Sequence, residues 1–232
     1  MGALVIGLFF IGIGWLVSAR LKSKFRHYSQ VHLEKDLTGA EVARLMLADN
    51  GIRDVQVVSV EGELTDHYNP STKIVNLSEG VYHGRNAAAT AVAAHECGHA
   101  VQHAKAYSML EFRSAMVPVQ NIGAQVINFI FMAMMFGSFF ASSILPIKTA
   151  LIIIIACYAV FALFALITLP VEFDASNRAL AWVKSRGIVN SSEYHMAQDA
   201  LKWAAMTYVV AAIGAVTTLI YYVLMFLGID RD

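Results

Sequence analysis

TALIIIIACYAVFALFALITLPV, residues 149–171, decides the fold of this 232-residue chain. These residues include no Lys, Arg, Asp or Glu, and about 20 apolar residues in a helix span the roughly 30 Å hydrocarbon core of a bilayer. Three more stretches lack charged side chains: residues 1–19, 114–147 and 203–229. The sequence therefore predicts four transmembrane helices.

The composition supports an integral membrane protein that also has a soluble part. Only 15% of the residues are charged, whereas about a quarter is usual in soluble domains. All 17 basic and 17 acidic residues fall outside the four stretches, and there they reach the density of a water-exposed surface. This excludes an ordinary soluble enzyme and predicts a mainly α-helical membrane protein.

The first uncharged stretch has two interpretations. Its apolar core, Leu4 to about Val17, has the length of a signal peptide core. It lacks a basic start and a small-residue cleavage site, and four basic residues follow it: Arg20, Lys22, Lys24 and Arg26. We therefore favour a retained anchor whose C-terminal end lies in the cytoplasm.

This orientation fixes the predicted topology. It places residues 20–113 and 172–202 in the cytoplasm, with 15 of the 17 Lys and Arg residues, as the positive-inside rule requires. We expect a multi-pass protein of the plasma membrane. The predicted parts are an anchor (1–19), a cytoplasmic part (20–113), transmembrane helices 2 and 3 (114–171), a cytoplasmic helical segment (172–205) and transmembrane helix 4 (206–229).

The cytoplasmic part reads as a small α+β unit. Thr38 and Glu41 form a capping box for a helix over residues 38–50, and Gly51 is a stop signal. Two strands are predicted, at Val55–Val60 and Lys73–Leu77, and a helix from Asn86 to about Ala106 follows them. The formal net charge is zero, so no nucleic-acid partner is indicated.

The last of these helices contains His95-Glu96-Cys97-Gly98-His99, an HExxH motif. Residues four apart in a helix share a face, so His95 and His99 can bind one metal ion, and Glu96 can reach a water molecule beside it. With eight histidines and nine glutamates in the chain, about 0.01 chance matches are expected. Cys97 points to the opposite face and is interpreted as a packing residue.

Catalytic zinc takes a third protein ligand, and two residues are candidates. His103 lies about 80° and about 12 Å of rise from His95 on a straight helix, too far to share one ion with it. Glu172 follows the third predicted span and begins a segment that can be helical. A carboxylate beside a membrane is costly unless it has a partner, so Glu172 is the preferred third ligand.

Three runs carry a resemblance to a known family: LTDHYNP (64–70), LSEGVY (77–82) and HECGHAVQH (95–103). They resemble the YugP family of membrane neutral zinc metallopeptidases, over nearly the whole chain. More distantly, the order of elements is similar to HtpX and the CAAX prenyl proteases. The resemblance implies a zincin-like cytoplasmic domain of the gluzincin type, with one Zn²⁺ ion on His95, His99 and Glu172 and with Glu96 as the catalytic base.

The same resemblance implies further roles. The distant relatives have an aspartate four residues after the ligand glutamate that orients a ligand histidine. Here that position is Ser176, and Asp174 and Asn177 are the alternatives. The strand Lys73–Leu77 either pairs with an extended peptide substrate or belongs to the sheet alone. The oxyanion of the reaction needs a histidine or tyrosine, for which His67, Tyr68 and His195 are available.

Two other functions use the same motif. A site-2-type intramembrane protease would carry HExxH inside a span, whereas the predicted helix from Asn86 to Ala106 is flanked by charged residues. A membrane scaffold or adaptor that retains a silent zinc site is the alternative to an enzyme. The sequence favours a zinc-dependent endopeptidase at the cytoplasmic membrane surface, because a scaffold does not need His95, Glu96, His99 and Glu172 together.

Overall fold

The computed structural model describes residues 2–136 and 146–229. Residues 137–145, within the predicted range of transmembrane helices 2 and 3, lie outside the described residues. The helices are α1 (Gly2–Tyr28), α2 (Gly39–Asp49), α3 (Glu79–Tyr82), α4 (Ala87–Ala104), α5 (Ser108–Phe136), α6 (Ile147–Ser185) and α7 (Ser191–Ile229). The strands are β1 (Gln56–Val60), β2 (His67–Asn69) and β3 (Ile74–Ser78).

Among the described residues, four helices are long and apolar enough to cross a membrane, as predicted. They are α1, α6 and the greater parts of α5 and α7, which contribute Ser108–Ala133 and Ser191–Gly228. Each continues beyond its predicted span, because a helix need not end where the hydrocarbon ends. α6 runs through Pro170 without a break, so the segment that was expected to begin at Glu172 is helical and continues the third apolar helix.

The predicted strands are joined by a third strand in one sheet of order β1-β3-β2. β1 pairs with β3 in parallel over Gln56–Val60, and β2 pairs with β3 in antiparallel. Of the two interpretations of this strand, the structure supports the sheet alone along Ile74–Asn76, because β3 lies between two strands and has no free edge there. The edge strand beside α4 is β2, which the sequence did not predict.

Side-chain caps begin α2 and α4, and the first of them is the predicted capping box. The Thr38 hydroxyl accepts a hydrogen bond from the Glu41 N–H (3.1 Å), and the Glu41 carboxylate accepts one from the Thr38 N–H (2.8 Å). The Asn86 side chain accepts the Ala89 N–H at 2.9 Å at the start of α4. Gly51 has a φ of 71° after α2, where glycine carries no steric cost.

The chain divides into two compact units, each with its own core. The first consists of Met1–Trp15, Phe112–Leu169 and Tyr208–Asp232, and its core includes Ile127, Ile154 and Tyr222. The second consists of Leu16–Glu111 and Pro170–Thr207. Its core is larger and includes Leu33, Met46, Val75, Leu77 and Val101. The second unit contains the HExxH motif and Glu172.

Candidate metal centre

Three predicted ligands meet between α4 and α6. The Glu172 Oε2 atom lies 3.3 Å from His95 Nε2 and 3.5 Å from His99 Nε2. The candidate ligand atoms of the three residues all lie within 4.8 Å of one another. The side chain of His95 is 12% exposed, that of His99 is 11% exposed and that of Glu172 is 3% exposed. The structure thus brings together residues that are far apart in the sequence.

The spacing fits a zinc ion. Tetrahedral zinc with bonds of about 2.0–2.2 Å holds its ligand atoms about 3.3–3.6 Å apart, which matches the two separations at Glu172. Two imidazoles and a carboxylate are also a donor set of catalytic zinc sites, and they leave a fourth position for water. The geometry and the donor chemistry therefore both suit Zn²⁺.

The electrostatics of the trio also favour a cation. Burial alone would lower the pKa of His99, but the hydrogen bond and the negative charge of Glu172 outweigh it, so that this pKa is raised above its ordinary value. The nearby Glu96 carboxylate acts in the same direction. The negative charge that raises this pKa would also favour a metal cation in place of the proton.

The outer nitrogen of each imidazole has its own partner. His95 Nδ1 lies 3.1 Å from the Ser176 hydroxyl, and His99 Nδ1 lies 3.0 Å from Gln102 Oε1. Such partners fix the orientation and the tautomer of a ligand histidine. Of the three positions left open by the sequence, Ser176 contacts a histidine directly, whereas Asn177 lines a neighbouring cavity.

Gln102, which the sequence analysis did not single out, links the two helices of the site. It is fully buried, and its Nε2 atom donates to the Val171 carbonyl and to Asp174 Oδ2, at 2.8 Å in both cases. Arg178 Nε in turn donates to the same Asp174 oxygen. Asp174 therefore acts on His99 through Gln102. The sequence contains one signal for the role of Gln102: it lies three residues after His99, and residues at this spacing are neighbours on a helix.

Gly98 lets α6 approach the motif. A Cβ atom at this position would lie 2.5 Å from the Ala175 carbonyl oxygen and 3.1 Å from its carbonyl carbon. No side chain fits there without movement of the backbone. The close approach places Glu172, one helical turn before Ser176, beside the two histidines.

Cys97 is buried on another side of α4, with its Sγ 3.5 Å from the Ala43 carbonyl oxygen, as predicted for a packing residue.

Glu96 is held beside the metal centre by β2. One carboxylate oxygen accepts the Tyr68 N–H at 3.0 Å, and Glu96 is 8% exposed. The Tyr68 hydroxyl lies 2.8 Å from His103 Nδ1. His103 is thus a partner of Tyr68, and it does not belong to the trio of candidate ligands.

The three residues that could stabilise the oxyanion differ in their surroundings. Tyr68 is half-buried and contacts the predicted base, and burial raises its pKa, which keeps its hydroxyl protonated. His67 is exposed and lies near the Thr65 carbonyl oxygen and the Asn76 amide. His195 is exposed on α7 and lines the cavity that also includes Asn177. Of the three, Tyr68 is the residue that is hydrogen-bonded to Glu96.

Comparison with known proteins identifies the family of the chain. The model of a family described as "Putative neutral zinc metallopeptidase" matches residues 3–227. The chain is 41% identical over 222 residues to "Putative membrane protease YugP" of Bacillus subtilis (strain 168). The aligned region covers 96% of this chain and 95% of that protein. No solved structure matches the chain. The resemblance that the sequence motifs indicated is confirmed, and the chain belongs to the neutral zinc metallopeptidase family.

Proposed function

We propose that the chain is a membrane-embedded, zinc-dependent endopeptidase that hydrolyses peptide bonds at the cytoplasmic face of the plasma membrane. The observation that carries the proposal is the convergence of His95, His99 and Glu172, with Glu96 fixed beside them. In this proposal the three residues hold one Zn²⁺ ion and Glu96 is the general base. The name of the relative from Bacillus subtilis supports proteolysis as the activity.

The chemistry divides between the ion and Glu96. Zinc bound here would supply Lewis acidity, which lowers the pKa of water from about 15.7 towards about 7 and polarises a peptide carbonyl. Glu96 removes a proton from the attacking water and then delivers a proton to the leaving amine. The Tyr68 N–H holds one carboxylate oxygen of Glu96, which directs the other oxygen to the proton.

We propose that the substrate is a peptide in extended conformation that lies along β2. This strand is at the edge of the sheet, and the Tyr68 N–H at its centre is bonded to Glu96, so a peptide along the strand would lie beside the proposed base. Binding to an edge strand uses main-chain hydrogen bonds and imposes little sequence specificity. Cleavage of a linear peptide, compared with a cyclised form of the same sequence, tests this proposal, because the cyclised form cannot extend along the strand.

The charge distribution supports the cytoplasmic side. Of the 17 Lys and Arg residues, 15 lie in residues 20–113 and 172–202, which are the segments that carry the HExxH motif and Glu172. The bias follows the positive-inside rule. Glu172 follows directly after an uncharged stretch, so we place the metal centre close to the membrane surface.

The decisive experiment separates metal binding from catalysis at Glu96. Glu96→Gln should keep about one equivalent of zinc in the detergent-purified protein and lower the cleavage of unfolded casein by at least about 100-fold, because a general base contributes about 10²–10⁴ in rate. Glu111→Gln, at an exposed glutamate of α5, is the matched control and should retain activity.

Two results would contradict the proposal. Activity of Glu96→Gln within a few-fold of the parent would remove Glu96 as the base. A parent protein that binds zinc and cleaves nothing would favour the scaffold function, and a parent that binds no metal would contradict the zinc-dependent mechanism directly.

A further inference from the structure

The basic residues after the first apolar stretch fall on two faces of α1, and among the described residues one of these faces has an ion pair and a ring contact with α7. Lys24 forms an ion pair with Asp199 at 2.8 Å, and the Arg20 guanidinium lies 5.7 Å from the centre of the Trp203 ring. Lys22 and Arg26 are exposed. Within residues 2–136 and 146–229, neither has a carboxylate oxygen within 4.0 Å.

The second face borders a shallow cavity, called here the concave surface, with a volume of about 400 Å³. Its lining consists of Ala19, Lys22, Ser23, Arg26, His27 and Gln30. Five of these six side chains can donate hydrogen bonds, and none is acidic. Lys22 and Arg26 are four residues apart on a helix, where like charges repel each other. An anion bound between them would remove this repulsion.

The position of the surface along α1 indicates what the anion is. Ala19 is the last residue of the first uncharged stretch, and Leu16, one turn earlier, is 60% exposed with an apolar side chain suited to lipid. The surface therefore begins where the hydrocarbon ends. Phosphate groups of lipids lie at that level, and clusters of Lys and Arg that directly follow a transmembrane helix attract anionic lipids.

We propose that Lys22 and Arg26 bind the phosphate of an anionic phospholipid headgroup, with Ser23, His27 and Gln30 as neutral donors to the headgroup. The site is independent of the metal centre and of peptide hydrolysis. Lys22 and Arg26 thus have a lipid-binding role, whereas Arg20 and Lys24 join α1 to α7.

The test is native mass spectrometry of the full-length protein, titrated in detergent with phosphatidylglycerol or phosphatidylcholine. The parent should bind phosphatidylglycerol more tightly. A basic residue near an anionic membrane surface contributes about fivefold in affinity, so the Lys22→Gln/Arg26→Gln variant should bind phosphatidylglycerol about 30-fold more weakly, with phosphatidylcholine unchanged. Lys35→Gln/Arg53→Gln removes the same charge from exposed positions elsewhere and should bind like the parent.

Equal binding of the two lipids by the parent would overturn the proposal, as would equal losses in both double variants. Competition with inorganic phosphate distinguishes the sources of the anion: bound phosphatidylglycerol should persist at about 10 mM phosphate, and complete displacement would assign the site to a free anion. If the Lys22→Gln/Arg26→Gln variant does not elute like the parent on size exclusion, each single variant should show a loss of about fivefold, and no loss in either would overturn the proposal.

Discussion

At the scale of single residues, the long-range ligand is the most demanding assignment. Glu172 Oε2 lies within 3.5 Å of both histidine Nε2 atoms, whereas His103 is bonded to Tyr68. Removal of the Glu172 carboxylate leaves two imidazoles, and two protein ligands hold zinc far more weakly than three. Glu172→Ala should therefore lose zinc under mild chelation that the parent survives, and His103→Ala should keep it, as measured by metal analysis after dialysis. The reverse result would exclude the gluzincin arrangement.

A second prediction at this scale concerns Gln102. Its amide orients His99 and joins α4 to the Val171 carbonyl and Asp174. Loss of an outer partner of a ligand histidine typically costs 10–100-fold in metal affinity or activity, so Gln102→Leu should weaken zinc binding by about that factor in a competition titration with a chelator. Gln56→Leu, on an exposed strand position, is the control. An unchanged zinc affinity in Gln102→Leu would show that His99 is oriented by other means.

At the scale of elements, the contact between α4 and α6 depends on Gly98. An added methyl group would lie 2.5 Å from a backbone oxygen of α6, and overpacking of this kind typically costs 1–3 kcal/mol. Gly98→Ala should lower the thermal unfolding temperature and also weaken zinc binding, because Glu172 moves with α6. At Gly80 a Cβ atom would meet nothing within 4 Å, so Gly80→Ala should leave both unchanged. A Gly98→Ala protein with the zinc affinity of the parent would mean that the contact is not needed for the site.

Elements with local signals were predictable, and those set by tertiary contacts were not. The capping box of α2 involves only Thr38 and Glu41, which are three residues apart, and α2 and α4 begin within one residue of their predicted starts. β2 has three residues and is held by β3 and by Glu96, so no periodicity could reveal it. The unbroken course of α6 through Pro170 has no local signal, because proline and a change of polarity usually mark a boundary.

The site shows the same division. The pairing of His95 with His99 follows from helix geometry, and Glu172 was found from its place beside a span. Ser176 was one of three open choices, and only the contact with His95 distinguishes it. The spacing of Gln102 from His99 indicated that the two are neighbours, but its side chain did not suggest a role, because an amide is neither a typical zinc ligand nor a base.

At the scale of the whole molecule, the topology can be tested directly. With Cys97 and Cys157 replaced, a cysteine at Thr149 should react with an impermeant thiol reagent added to intact cells, and a cysteine at Ser191 should not. The expectation follows from the bias of Lys and Arg towards residues 20–113 and 172–202. Labelling after cell lysis should reach Ser191→Cys and is the control for its accessibility. Labelling of Ser191→Cys alone in intact cells would put the metal centre outside the cell.

The backbone contact at Gly98 also changes what the HExxH motif says about a sequence. Written with two wildcards, the motif matches by chance in about one chain of this composition in a hundred. Position 98 is not a wildcard here, because the Ala175 carbonyl occupies the space of any side chain. Glycine makes up 15 of the 232 residues, so a pattern that requires it at this position has about fifteenfold fewer accidental matches. In genome searches for chains in which a second helix delivers the third ligand at this distance, His-Glu-x-Gly-His is the more informative query.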